Sequence, residues 1–279
     1  MTDTSSVSRH YGAQDPAEII LSVLRSSGKD TERLTPDDLA PLDEFHLRGR
    51  EATREMAALL RLGPADRVLD VGCGMGGPAR FLASAFGCRV TGLDLTEPFC
   101  RAAERLTRLT GLEGKVEFRQ GDALAMPFPD GGFDLVWSQH MNMNVADKAR
   151  LFGEMRRVTR DGGRLAFYEI AAGPGGAPHF PVPWAPEPSI SHLASPEALR
   201  AGLEGAGFRV ASWEDVTGKA KDWIRRLFEA AAPAGARGDA GVPPHLLLLP
   251  EMRPKAANVK RSLDEDRVRV VQAVLEAGR

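Results

Sequence analysis

An acid stands two positions ahead of a glycine cluster in Val68-Leu69-Asp70-Val71-Gly72-Cys73-Gly74-Met75-Gly76-Gly77. A glycine turn between a strand and a helix lets backbone approach a ligand closely, and the helix N-terminus behind it favours anions. Asp70 alters that preference. Its carboxylate repels a pyrophosphate and attracts a ligand that carries an ammonium group and no phosphate. Three more chemistry-bearing sites follow. Asp94 closes Thr91-Gly92-Leu93-Asp94-Leu95, 22 residues after Gly72. An acid at this spacing accepts hydrogen bonds from ribose hydroxyls. Gly121-Asp122-Ala123 offers a carboxylate and backbone groups to a base edge. Ser138-Gln139-His140-Met141 supplies an amide and the only histidine expected at a strand tip.

These sites need elements to hold them. Apolar alternation and glycine punctuation predict strands over Arg67–Val71, Arg89–Asp94, Lys115–Arg119, Phe133–Ser138, Gly163–Ile170 and Phe208–Trp213. Helical spacing falls between them, over Gly76–Phe86, Glu97–Thr110, Ala146–Val158 and Ser195–Gly205. Alternating strands and helices make a doubly wound, mostly parallel α/β sheet, with ligands at the carboxyl ends of the strands. All four sites lie at such ends. Before the alternation, Ala17–Leu24 and Arg48–Leu62 read as helices and Ser26–Asp43 as turn-rich. After it, Ala171–Ser191 holds six prolines and reads as a long ordered loop or lid. Gly218–Ala232 and Met252–Leu263 read as helices around a flexible break at Ala234–Pro244. Val268–Leu275 is β-rich, with a C-terminal helix as its alternative.

Bulk properties narrow the function. The chain has 279 residues, with 36 basic and 38 acidic side chains and a net charge of −2. That balance argues against nucleic-acid binding. The cysteines Cys73, Cys88 and Cys100 form no CxxC pair, which fits a reduced cytoplasm. The scattered histidines supply no metal cluster, so no metal is expected. No apolar run approaches the roughly 18 residues of a membrane span, and the polar first ten residues carry no secretion signal.

The stretches VLDVGCGMGG, GLDL, GDALAMPFPDGGFDLVWS and EMRRVTRDGGRL together resemble class I S-adenosylmethionine (SAM)-dependent methyltransferases, from residue 66 to about residue 170. The last two are similar to the small-molecule subgroup that includes sarcosine/dimethylglycine N-methyltransferases and quinone or natural-product methyltransferases. The resemblance implies a Rossmann-like sheet of seven strands whose last strand, 267–279, is antiparallel. It also implies an N-terminal helical cap (1–62), a SAM-binding core (63–216) and a helical insertion or lid (217–266). Asp70, Gly72, Cys73, Gly74 and Gly76 would hold the methionine end and Asp94 the ribose. Leu95 would pack on adenine, with Asp122 and Ala123 at its amino edge and Gln139 near the methionine moiety. Tyr11, His46 and Arg48 would approach from the cap.

Transfer of a methyl group from a sulfonium is an in-line displacement with a neutral leaving group, so positioning can supply most of the rate. An amine acceptor need only be deprotonated; a hydroxyl or carbon acceptor wants a base. His140 is the candidate contact to the acceptor, and Glu169 could pair with a substrate amine. Tyr168, Phe180 and Trp184 are candidates for an apolar or cation-binding wall. The expected function is N- or O-methylation of a small molecule by a cytoplasmic monomer or homodimer. Its alternatives are C-methylation of a quinone or lipid-like acceptor, an NAD(P)-binding oxidoreductase, and a binding module on the same fold. Strand four lacks the Asn/Asp-Pro-Pro-aromatic clamp that nucleic-acid methyltransferases use for base amines.

Overall fold

The computed structural model describes residues 15–230 and 252–278. Helices α1 (Pro16–Ser26), α2 (Pro36–Asp43) and α3 (Gly49–Ala58) precede the alternating core. Then come β1 (Arg67–Val71), α4 (Gly77–Phe86), β2 (Arg89–Asp94), α5 (Glu97–Leu109), β3 (Val116–Gln120) and β4 (Phe133–Gln139). The core continues through α6 (Lys148–Val158), β5 (Thr159–Ala172), α7 (Pro196–Gly205) and β6 (Phe208–Asp215). Helices α8 (Thr217–Ala230) and α9 (Met252–Asp264) lead into β7 (Val268–Ala277).

The strands form one sheet in the order β3-β2-β1-β4-β5-β7-β6. Strands β1 to β5 are parallel to one another, and β7 enters antiparallel between β5 and β6. The expected seven-stranded architecture is therefore the observed one, and 268–277 is a strand rather than a helix. Its strands β1, β4 and β7 are almost wholly buried, as strands with helices on both faces must be. One core layer packs Trp137, Tyr168 and Val270 against α3, α8 and α9. The opposite layer packs Phe152, Phe167 and Leu203 under α6 and α7.

Two expectations are corrected. Ser26–Asp43 is not turn throughout: α2 occupies its second half. Thr35 caps it through Asp38 in a reciprocal box, and Pro36 takes the first helical position, where its missing N–H costs nothing. Strand β5 starts four residues earlier than Gly163, because Thr159 already pairs with Phe133 ahead of a register shift. The proline-rich stretch after β5 is ordered by Asn144, whose amide donates to the carbonyls of Trp184 (2.8 Å) and Ile190 (3.1 Å). No helix among the described residues is long and apolar enough to cross a membrane.

Candidate active site

A cavity of about 550 Å³ opens over the carboxyl ends of β1, β2 and β4. The glycine loop forms its floor. Gly72 has φ +73° and a side chain there would sit 2.2 Å from Met141 Cγ, so only glycine fits. Gly76 (φ +79°) caps α4 with Phe118 packed where a Cβ would stand. The loop's own amides are engaged. Those of Gly72 and Cys73 donate to Leu93 O (2.8 and 3.1 Å), that of Gly76 to Cys73 O (2.8 Å) and that of Gly74 to Asp94 Oδ2 (2.9 Å). A phosphate would find none of these four free, which removes the main attraction of such a loop for dinucleotides.

Asp70 is buried, and its Oδ2 has no hydrogen-bond partner. Burial, with Asp94 and Glu44 nearby, pushes its carboxyl up to about 8. An unpartnered buried acid is costly and calls for a cation. Asp94 accepts from Gly74 N–H and Thr96 N–H (both 2.9 Å), one on each oxygen. Its carboxyl is also raised, chiefly by burial. Gln139 is oriented by its neighbour: the indole N–H of Trp137, which can only donate, points at Oε1 (2.8 Å). The Gln139 NH2 group is thereby assigned to the other side, where it is buried and unpartnered. Leu95, Phe99, Ala123 and Leu124 line the cavity beside Asp122.

His140 follows β4 with φ +50° and stacks on Tyr168 at 5.2 Å and 11°. The backbone N–H of Leu47 donates to His140 Nδ1 (3.3 Å), and the Tyr168 hydroxyl donates to Leu47 O (3.1 Å). Leu47 thus clamps the cap to the tips of β4 and β5. A backbone amide can only donate, so Nδ1 is the unprotonated nitrogen and Nε2 carries the hydrogen. Burial holds the imidazole well below its usual pKa, so it is neutral. His140 therefore presents an N–H rather than a basic lone pair. His46 is buried and pushed down to about 4 by burial. It lines the cavity within a network in which the Thr53 hydroxyl lies 2.7 Å from Glu44 Oε2, 3.1 Å from His46 Nε2 and 3.3 Å from Gln139 Oε1.

Asp70, Gly72, Cys73, Gly74, Asp94, Leu95, Asp122, Ala123, Gln139, His46, His140 and Trp184 all line this one cavity. Gly76, Glu169, Tyr168 and Phe180 do not. Glu169 corrects its expected role as a partner for a substrate amine. It is buried and accepts from Ser138 Oγ (2.7 Å) and from the amides of Met141 (3.0 Å) and Asn142 (3.4 Å). It shapes the turn after β4. Tyr168 acts through Leu47 and His140, and Phe180 packs against the core layer that holds Trp137 and Val270. Arg48 is buried and ion-paired with Glu55 rather than facing the cavity. Tyr11 lies outside the described residues. Among the described residues no cluster of three or more His, Cys, Asp or Glu could hold a metal.

Sequence spacing missed several residues. Arg80, fully buried in α4, donates to Asp43 Oδ2, Met75 O (2.6 Å), Ala103 O (3.2 Å) and Thr107 Oγ1 (3.0 Å). It ties the glycine loop to the cap and to α5. Thr53 and Leu47 act on the site from the cap, and a backbone donor such as Leu47 leaves no mark on a sequence.

Residues 69–167 match the family described as "Methyltransferase domain". A glycine/sarcosine/dimethylglycine N-methyltransferase of Actinopolyspora halophila is 30% identical over 177 residues, covering 63% of this chain and 31% of that protein. A sarcosine/dimethylglycine N-methyltransferase of Halorhodospira halochloris is 29% identical over 210 residues, covering 75% of this chain and 74% of that protein. The chain thus spans about a third of the first relative's length and about three quarters of the second's. Among solved structures, geranyl diphosphate C-methyltransferase from Streptomyces coelicolor, in complex with S-adenosyl-L-homocysteine, superposes with a TM-score of 0.71. It shares 19% identity and covers 98% of this chain and 97% of that one. The 4+2 cyclase SpnF superposes with a TM-score of 0.62 at 26% identity, covering 82% and 81%.

Proposed function

We propose, from the premise that the chain carries a methyltransferase domain, that it transfers the methyl group of SAM to a nitrogen or oxygen atom of a small, largely apolar acceptor. The observation that carries this reading is the pair of orphaned groups at the cavity floor. Asp70 Oδ2 and the Gln139 NH2 group are buried without partners. One suits an ammonium and the other a carboxylate, the two charged groups of the methionine end. The engaged amides of the glycine loop argue against the dinucleotide alternative.

When bound, SAM supplies an electrophilic methyl group on a sulfonium. The chain's residues bind and orient. Asp70 takes the ammonium, and Asp94 accepts from the ribose hydroxyls. The apolar walls at Leu95, Phe99 and Leu124 take the adenine, with Asp122 and Ala123 at its edge. His140 offers Nε2–H to an oxygen of the acceptor. Without a basic lone pair at that position, the acceptor arrives with its own lone pair free, as a neutral amine or an already ionised oxygen. Orientation of the two reactants then carries most of the acceleration, on the order of 7–11 kcal/mol in favourable cases. Helices α1 to α3 on one side and α8 and α9 on the other line the cavity and would exclude water from the bound reactants.

The reading describes a cytoplasmic enzyme that works as a monomer or homodimer on a free small molecule. Its buried free thiols fit a reducing compartment. The SpnF likeness supports a second reading, a non-methylating catalyst on this fold. Incubation with methyl-labelled SAM and pooled amines and phenols separates the two. Methyl transfer predicts a labelled product one methyl group heavier, with S-adenosylhomocysteine (SAH) formed in equal amount. Substrate turnover with no SAH would favour the second reading.

A further inference from the structure

The two ends of the cavity differ in charge. Asp70, Asp94 and Asp122 line the end over β1, β2 and β3, where a cationic cofactor belongs. Toward the lid the wall turns apolar, with Met143, Ile170, Trp184 and Ile224. Helix α9 contributes Met252, Lys255, Ala256 and Val259 to that wall. These positions, spaced i, i+3, i+4 and i+7, are one face of a helix, the stripe that normally carries only apolar side chains. Lys255 interrupts it. Among the described residues it is the only lysine or arginine lining the cavity.

Its neighbours on α9 are accounted for. Lys260 pairs with Asp264 and Arg261 with Glu265. Lys255, half-buried, has no hydrogen bond or ion pair to any described residue. The other polar groups at this end are engaged. The Asn144 amide holds Trp184 O and Ile190 O, and the Trp184 indole N–H donates to Ser191 Oγ (3.0 Å). With the Gln139 NH2 group assigned to the methionine carboxylate, two donors remain, the Lys255 ammonium and His140 Nε2–H, and both want an acceptor oxygen. An ammonium held against an apolar wall favours a counter-ion more strongly than one in open water.

We infer that Lys255 is the anion-reading residue of the acceptor chamber. The acceptor carries a carboxylate or phosphate, joined through an apolar segment to the atom that is methylated. The inference rests on assigning the acidic end of the cavity to SAM.

The test uses eight-carbon probes on the full chain saturated with SAH: octanoate, octyl phosphate, octanamide and octylamine. Titration calorimetry on the wild type is expected to give at least about tenfold tighter binding for an anionic probe than for octanamide or octylamine. Octanoate against octyl phosphate shows which anion is preferred. Lys255→Met should bring the anion-to-amide ratio to about one, and Lys255→Arg should keep it. A wild type with no anion preference, or a preference intact in Lys255→Met, overturns the inference. SAH titrated into the same proteins separates the two readings. Failure to bind SAH removes the methyltransferase proposal, whereas normal SAH binding without an anion preference removes only this one.

Discussion

At the residue scale, the site is defined by groups whose needs the protein leaves unmet. Asp70 is the clearest. Its carboxyl stays protonated to about pH 8 in the folded state, whereas an unfolded aspartate ionises near pH 4. A raised folded-state pKa contributes stability that is full below about pH 4 and is lost as pH rises through about 8. Asp70→Asn removes that loss. The variant should melt higher than the ligand-free wild type at pH 8, with the advantage shrinking toward pH 4, while its SAM affinity falls by about tenfold or more. Melting curves at pH 5 and 8 check the first part; a variant less stable than wild type at pH 8 would contradict it. Gln139 and His140 illustrate the same principle. Each is oriented by a donor that cannot reverse its role, the Trp137 indole and the Leu47 amide, so the free side of each ring or amide is known.

At the element scale, the site depends on how the cap is fastened to the sheet. Leu47 bridges His140 and Tyr168, and Arg80 joins the glycine loop, α2 and α5 through a fully buried ion pair with Asp43. Arg80→Met leaves the Asp43 carboxylate buried without its partner, which should cost about 3–5 kcal/mol of unfolding free energy in urea denaturation. A loss under 1 kcal/mol would mean that the cap is not held this way. The strands were readable because glycine and alternation bracket each one, and β1 and β2 begin and end where the pattern places them. Helix α2 was not, because Pro36-Asp37-Asp38 has the composition of a turn until its Thr35 cap is recognised. Glu169 was found as an acid near a strand end, but adjacent strand residues face opposite sides. Tyr168 faces Leu47 and His140, while Glu169 faces Ser138 and the turn after β4. Lys255 was invisible for a related reason: composition places it on a charged helix, and only the packing of α9 shows which stripe faces the cavity.

At the scale of the whole molecule, the cavity is assembled from segments far apart in the chain. Helix α1 contributes Ile19, Ile20 and Val23, the strand tips contribute the acids, and α8 and α9 close the opposite end. No single segment specifies the acceptor: the glycine loop and the strand-tip acids are marked by their spacing in the sequence, and the wall at the opposite end is not. On the proposed reading the polarity of the cavity, acidic at one end and, among the described residues, apolar with one lysine at the other, would order the two ligands along it. The central claim is that the acidic end takes SAM, and calorimetric titration of the purified chain tests it most directly. The account predicts saturable binding of one SAM per chain, a loss of about 10- to 100-fold in Asp94→Ala, which lacks the ribose acceptor, and no binding of NADH. Saturable NADH binding with none for SAM, or SAM binding indifferent to Asp94→Ala, would contradict it.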